Sequence, residues 1–144
     1  GRTFEAAAFL RRAGADTAEV KKLFQTDLSG TIAKYDLIRN ATLYREGVAL
    51  AAADHSVGRV TASQAADELL NISWIDCSFV VYAGENGVSM ISARSNGSTN
   101  VQVILETLGG GGNAAVAGAQ LPGCTVDEVV GMLKIAIDRY FEEN

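Results

Sequence analysis

Two short stretches carry residues whose types and spacing suit contacts with an anionic ligand. The first is the run Gly109-Gly110-Gly111-Gly112, followed directly by Asn113. Glycine loses more backbone entropy on folding than any other residue, so four in a row inside a folded domain require a reason. Without Cβ atoms, successive backbone N–H groups can turn toward one point and lie close against an anion. The run therefore indicates a binding loop, with a flexible linker as the alternative.

The flanks of the glycine run favour the binding loop over the linker. Upstream, Asn100 is a good N-cap for a helix whose apolar residues recur at helical spacing over residues 101–108. Downstream, residues 114–119 are small and apolar, which suits close packing better than a solvated tether. We expect the glycines to be held between two packed segments.

The second stretch is Ser92-Ala93-Arg94-Ser95, which ends a predicted strand shortly before the glycine run. Arginine offers a planar fork of donors that matches phosphate oxygens, and serine hydroxyls can add further hydrogen bonds. The alternative is a surface arginine in a weak ion pair. Because only one predicted helix separates Arg94 from the glycines, we favour the phosphate contact.

The elements that must position these residues predict an α+β domain, with a small mixed β-sheet flanked by helices and preceded by a helical arm. Turn residues at 84–87 join two β-rich runs into a hairpin, and Thr125 caps a final helix. The strands are predicted at Val48–Ala52, Cys77–Tyr82, Val88–Arg94 and Ala119–Leu121, and a further helix at Ser63–Leu70, opened by Thr61 or Ser63.

The first part of the chain shows helical patterns and no strand pattern. Three helices are predicted, at Phe4–Arg12, from Asp16 or Thr17, and from Ser29 to about Thr42. We therefore predict a helical arm over residues 1–42 and a second domain over residues 43–144. The chain begins with glycine instead of methionine, which suggests a piece of a longer protein, or the product of processing or tag removal.

Composition excludes several classes of function. A net charge of −5 over 144 residues argues against binding long nucleic acids, which needs many basic contacts. Cys77 and Cys124 are interpreted as reduced thiols of a cytoplasmic protein, and no apolar stretch reaches the ~20 residues that span a bilayer. The single histidine, His55, follows Asp54 in a predicted exposed loop, so we expect neither a catalytic centre nor a metal site here.

Taken together, the Ser92–Ser95 stretch, the capped helix, the glycine run and the Ala117-Gly118 step resemble the C-terminal DHHA1 domain of DHH/DHHA1 phosphoesterases. The chain is most similar to the branch of bacterial cyclic di-AMP phosphodiesterases. Residues 2–7 and 14–17 are similar to the segment that joins the DHH domain to DHHA1 in that family. The resemblance covers nearly the whole chain.

The resemblance implies the nucleotide-binding half of a metal-dependent phosphodiesterase, inactive alone, whose two Mn²⁺ ions belong to a separate DHH domain. The implied ligand is a cyclic or short linear dinucleotide, and the implied protein partner is that DHH domain. A homodimer and a membrane-anchored parent protein are left open. The implied substrate-binding residues are Ser92, Arg94, Ser95, Gly109, Gly110, Gly111, Gly112 and Asn113.

One position departs from the family pattern. Asn113 stands where the family carries histidine after its glycines, and a neutral amide adds no positive charge.

Two alternatives to the implied function are left open. One is a non-catalytic interaction module with a degenerate ligand site, and the other is binding of RNA ends, as in relatives that degrade oligonucleotides.

Overall fold

In the computed structural model, which describes residues 16–143, a six-stranded mixed sheet carries helices on both faces. The helices are α1 (Thr17–Arg39), α2 (Arg59–Leu70), α3 (Val101–Glu106) and α4 (Val126–Glu143). The strands are β1 (Thr42–Arg45), β2 (Val48–Ser56), β3 (Cys77–Ala83), β4 (Val88–Ser95), β5 (Gly111–Gly112) and β6 (Val116–Pro122). The predicted α+β class and mixed sheet are confirmed.

The strands lie in the order β1-β2-β3-β4-β6-β5. β2 and β3 are parallel and are joined through α2, as a parallel pair requires a crossover connection. The other neighbouring pairs are antiparallel, including β4 with β6 and β5 with β6. β6 therefore lies between the strand that carries Arg94 and the short strand formed by two of the glycines.

Side chains alternate between the two faces of β4 and β6, as the strand geometry dictates. One face, here called the core face, carries buried apolar residues that pack with α3 and α4: Ile91, Ala93, Ala117, Ala119 and Leu121. The opposite face, here called the cleft face, carries Met90, Ser92 and Arg94 from β4 and Val116, Gly118 and Gln120 from β6. On that side of the sheet α2 packs on β3 and β4, and Ala62, Ala66 and Leu69 are buried.

Three of the predicted turn and helix-end signals are confirmed. Residues 84–87 connect β3 to β4, with positive φ at Asn86 (58°) and Gly87 (73°). The Asn100 side chain accepts a hydrogen bond from the Val103 N–H at 3.2 Å. At the start of α4, Thr125 and Glu128 exchange two 3.1 Å hydrogen bonds, which form a capping box.

Several predicted boundaries in the first half are wrong. The helices expected from residue 16 or 17 and from Ser29 are one 23-residue helix. An interior serine and glycine cost a helix only ~1 kcal/mol or less each, which the other residues offset. The predicted helix Phe4–Arg12 lies outside the described residues.

In the second half, α2 begins at Arg59, with Gly58 at the N-cap position in place of a hydroxyl residue. The helix therefore starts earlier than predicted. β1 was not predicted, and β2 continues through Asp54 and His55, which are exposed at its end and do not lie in a loop. β2 is longer because its pairing with β3 continues to Ser56 after burial stops at Ala53.

The chain divides into two compact units between Ala33 and Lys34, within α1. The sheet and the other helices belong to the second unit. The sequence-based domain boundary between residues 42 and 43 stays a prediction. In residues 16–143 no helix is both long and apolar enough to cross a membrane.

Candidate functional site

A cleft of about 660 Å³ opens on the cleft face beside α2, within the second compact unit. Its floor comes from β4, β5 and β6, and Arg59 and Ser63 of α2 stand along one side. Ser92, Arg94 and the four glycines of the run all line it. The structure thus brings together most of the site residues that the sequence predicts.

The middle of the floor carries almost no side chains. Ser92 of β4 is in register with Gly118 of β6, and Gly118 is in register with Gly111 of β5. Residues paired across antiparallel strands point to the same face, so Ser92, Gly118 and Gly111 form one row on the cleft face. The largest side chain in the row is a hydroxymethyl group. The row therefore leaves exposed backbone on which a flat group can lie.

The first two glycines of the run end α3. Gly109 has a φ of +81°, and its N–H donates to the Glu106 carbonyl at 3.1 Å. The Gly110 N–H donates to the Leu105 carbonyl at 2.8 Å. These two bonds and the left-handed glycine form a Schellman motif, a standard helix C-terminus. The Gly110 N–H is therefore bonded at the end of α3, and the binding role of Gly110 stays a prediction.

Glycine is also required at positions 110 and 112 by close backbone packing. A Cβ on Gly110 would lie within 3 Å of the Gly118 carbonyl oxygen and of the Ala119 side chain. A Cβ on Gly112 would clash with the Val116 carbonyl oxygen, and Gly112 has a φ of +143°.

Gly111 differs from the other three glycines of the run. A Cβ placed there would meet no atom within 4 Å, and its φ lies outside the left-handed region. Neither the packing nor the backbone conformation of the described residues requires a glycine at Gly111.

Arg94 is held in place by α2. Its Nε donates to Asp67 Oδ1 at 2.8 Å, and its Nη1 donates to the Ala93 carbonyl at 2.9 Å. The Arg94 side chain is only 14% exposed, whereas that of Asp67 is 59% exposed. The ion pair foreseen as the alternative to a phosphate contact therefore exists. The ion pair also fixes the guanidinium group at the cleft. An arginine side chain carries five N–H donors in total.

Two predicted site residues do not line the cleft. Ser95 is buried, and its Oγ accepts a hydrogen bond from the Gly97 N–H at 3.1 Å. Asn113 Oδ1 accepts from the N–H groups of Ala115 and Val116, both at 2.9 Å. Asn113 thus uses its side-chain oxygen to hold the turn between β5 and β6. The binding roles of Ser95 and Asn113 stay predictions.

Sequence reasoning missed Arg59, Ser63 and Gln120, which all line the cleft. Arg59, Ser63 and Asp67 follow one another at spacings of four, which places them on one side of a helix. That polar stripe was a usable signal. Gln120 had none, because its face depends on the register of β6 against β4.

Trp74, the single tryptophan of the chain, is 93% exposed with a φ of 74°. It is not among the residues that line the cleft. Phe79 and Tyr82 are buried, as their β-rich context predicts.

The described residues offer little redox or metal chemistry. Burial raises the pKa of the Cys77 thiol to about 11, so it is protonated at neutral pH. Cys124 is half-buried, and both cysteines are free. In the part of the chain that the structure describes, no group of three His, Cys, Asp or Glu residues could hold a metal ion. These residues do not fit a Mn²⁺ site.

The DHHA1 domain family matches residues 46–143, and the chain belongs to that family. It is 41% identical to the cyclic-di-AMP phosphodiesterase GdpP of Bacillus subtilis and 40% identical to the cyclic-di-AMP phosphodiesterase PdeA of Listeria monocytogenes. Both comparisons cover 98% of this chain but only 22% of the relative.

Solved structures share the fold at low sequence identity. An exopolyphosphatase-related protein from Bacteroides fragilis is 16% identical, with a TM-score of 0.68 over 96% of this chain and 43% of that one. The pGpG-specific phosphodiesterase PggH of Vibrio cholerae is also 16% identical, with a TM-score of 0.57 over 84% of this chain and 43% of that one. The cytoplasmic location stays a prediction, and the homodimer stays open.

Proposed function

We propose that this chain is the substrate-binding domain of a DHH-type phosphodiesterase and that its cleft holds a cyclic or short linear dinucleotide. The observation that carries the proposal is the position of Arg94 beside the row of Ser92, Gly118 and Gly111, in which Gly111 has no structural reason to be glycine. A phosphate fits the arginine, and a sugar or base fits the bare floor.

The geometry of Arg94 supports a phosphate contact. Two of its hydrogen bonds go to Asp67 and Ala93, which leaves donors of the guanidinium for a ligand. Because the side chain is mostly buried, its orientation is set before a ligand arrives. Ser92 lies two residues before Arg94 on the same face of β4, and its hydroxyl can add a neutral hydrogen bond to the ligand.

The relatives support the class of ligand. GdpP of Bacillus subtilis is a cyclic-di-AMP phosphodiesterase, and PggH of Vibrio cholerae is a pGpG-specific phosphodiesterase. Hydrolysis of a phosphodiester by two metal ions needs carboxylate and imidazole ligands close together. We expect those ligands on a separate DHH domain, because the residues described here do not fit them. The contribution of this chain is to bind and orient the ligand.

The proposal is tested by isothermal titration calorimetry of the 144-residue chain with cyclic di-AMP and with its linear dinucleotide product. A charged hydrogen bond contributes about 1.5–3 kcal/mol, so Arg94→Ala should weaken binding by roughly 10- to 150-fold. The matched control is Arg45→Ala, because Arg45 forms a similar 2.9 Å ion pair with Asp138 and does not line the cleft. It should change the affinity by less than about two-fold.

One observation favours the alternative of an interaction module with a degenerate site. Asn113 brings no charge to the cleft and uses its side-chain oxygen in a turn. Under that alternative, amide NMR signals of residues 92–94 and 109–112 would not move on addition of either dinucleotide. Equal loss of affinity in the Arg94→Ala and Arg45→Ala variants would also reject the proposed site.

A further inference from the structure

We propose that Gln120 reads the nucleobase of the ligand whose phosphate Arg94 holds, and that it favours adenine over guanine. This inference rests on the proposed function and adds a specificity-determining residue to the same cleft.

Gln120 and Arg94 stand at opposite ends of the bare floor. Arg94 is in register with Val116, and Gln120 follows Val116 by four residues on the same strand and face. Four residues of a strand span about 13 Å. Gly118 lies midway, in register with Ser92. A nucleotide with its phosphate at Arg94 can thus extend across the glycines toward Gln120.

The surroundings of Gln120 suit a base. A second cavity of about 410 Å³ shares Arg59, Tyr82, Met90 and Gln120 with the cleft, so open space continues beside the carboxamide. Met90 is the register partner of Gln120 and offers a soft apolar contact to a ring.

The carboxamide of Gln120 is available for a ligand. It forms no hydrogen bond with any residue that the structure describes, and the residue is exposed. Gln102 provides the contrast, because its Nε2 donates to Glu106 Oε1 at 2.9 Å. Gln102 lies on α3 and does not line the cleft.

A carboxamide presents one donor and one acceptor side by side. Adenine presents the complementary pair on its N7 edge, where the N6–H donor lies beside the N7 acceptor, and this pairing is a recurrent adenine contact. The same edge of guanine presents two acceptors, O6 and N7, which a carboxamide cannot pair with in this way. A carboxylate presents acceptors only. It would lose the contact with the adenine ring nitrogen and would suit the adjacent N–H donors of guanine. The Gln120→Glu substitution should therefore reverse the preference.

The test measures the affinities of the 144-residue chain for 5′-phosphorylated adenine and guanine dinucleotides and for ribose 5-phosphate, which has no base. Gln120→Ala should weaken adenine dinucleotide binding by about 5- to 150-fold and leave ribose 5-phosphate binding unchanged. In Gln120→Glu the ratio of the two dinucleotide affinities is the readout, because the added charge repels both ligands. The ratio should shift toward guanine by at least about ten-fold.

Gln102→Glu is the control for an added charge and should leave the ratio unchanged. Amide NMR spectra of each variant establish that the fold is intact. If ribose 5-phosphate binds in an Arg94-dependent way but the Gln120 variants keep the wild-type ratio of dinucleotide affinities, the inference about Gln120 is overturned. The proposed function then still stands. If no ligand binds in an Arg94-dependent way, the proposed function fails and the inference fails with it.

Discussion

The core face and the cleft face of β4 and β6 are built from alternate residues of the same two strands, yet they have opposite characters. On the core face, Ile91, Ala93 and Ala119 are buried under α3 and α4. On the cleft face, the row that contains Gly118 and Gly111 leaves backbone exposed. A shift of one residue along a strand therefore separates positions that stabilise the fold from positions that are free to bind.

The contrast predicts that core-face substitutions change stability and that cleft-face substitutions change binding. The core face buries apolar area, which contributes roughly 25 cal/mol per Å². The β6 part of the cleft face contributes far less to stability, because Val116 and Gln120 are exposed and Gly118 has no side chain. Three comparisons of variants test this separation.

The largest effect is expected at Leu133, a residue of α4 that is completely buried against the core face. Leu133→Ala should lower the free energy of unfolding by about 2–5 kcal/mol, since the cavity it leaves cannot close fully. Urea denaturation followed by circular dichroism measures the change. Ile135→Ala is the control on the same helix, because Ile135 is 56% exposed, and its cost should stay below about 1 kcal/mol. Equal costs for the two variants would contradict the assignment of the core.

The next effect depends on pH and concerns Cys77, a buried residue of the same core. Burial raises the pKa of its thiol from the ordinary 9.0 to about 11. Because the folded pKa lies above the unfolded one, the thiol favours folding below pH 9, and this contribution is lost as the pH rises toward 11. A difference of two pKa units corresponds to about 2–3 kcal/mol.

The measurement is the free energy of unfolding of the wild type minus that of Cys77→Ala, from pH 7.5 to 10.5. The difference should decrease above pH 9. The pKa of Tyr44 is also raised, by its hydrogen bond to Asp138. Because Tyr44 is present in both chains, its contribution to the pH dependence cancels in the difference. A difference that stays constant with pH would show that the Cys77 thiol titrates as it does in the unfolded chain.

The sequence predicted the parts of this molecule that depend on local chemistry. The turn at 84–87, the Asn100 cap and the return strand that carries Arg94 follow from residue type and spacing, and all are confirmed. The Asp67 partner of Arg94 and the face of Gln120 depend on long-range packing and on strand register. Those quantities are set by the whole fold, so no local pattern contained them.

The glycine run gives the sharpest test, because adjacent positions are expected to behave differently. Gly110→Ala places a Cβ 2.4 Å from the Gly118 carbonyl oxygen, so the backbone of β5 or β6 must move. We expect a loss of about 1–3 kcal/mol in the free energy of unfolding. Gly111→Ala places its Cβ where no atom lies within 4 Å, and stability should change by less than about 0.5 kcal/mol.

Ligand binding gives a second test of the Gly111→Ala variant. The methyl group of Gly111→Ala stands in the row with Gly118 and Ser92, on the face where the ligand is proposed to lie. Calorimetry with the adenine dinucleotide should therefore show weaker binding by a chain of unchanged stability. If Gly111→Ala binds as the wild type does, the bare row is not in contact with the ligand. The end of α3 and the packing of β5 would then explain Gly109, Gly110 and Gly112, and nothing in the described residues would explain Gly111.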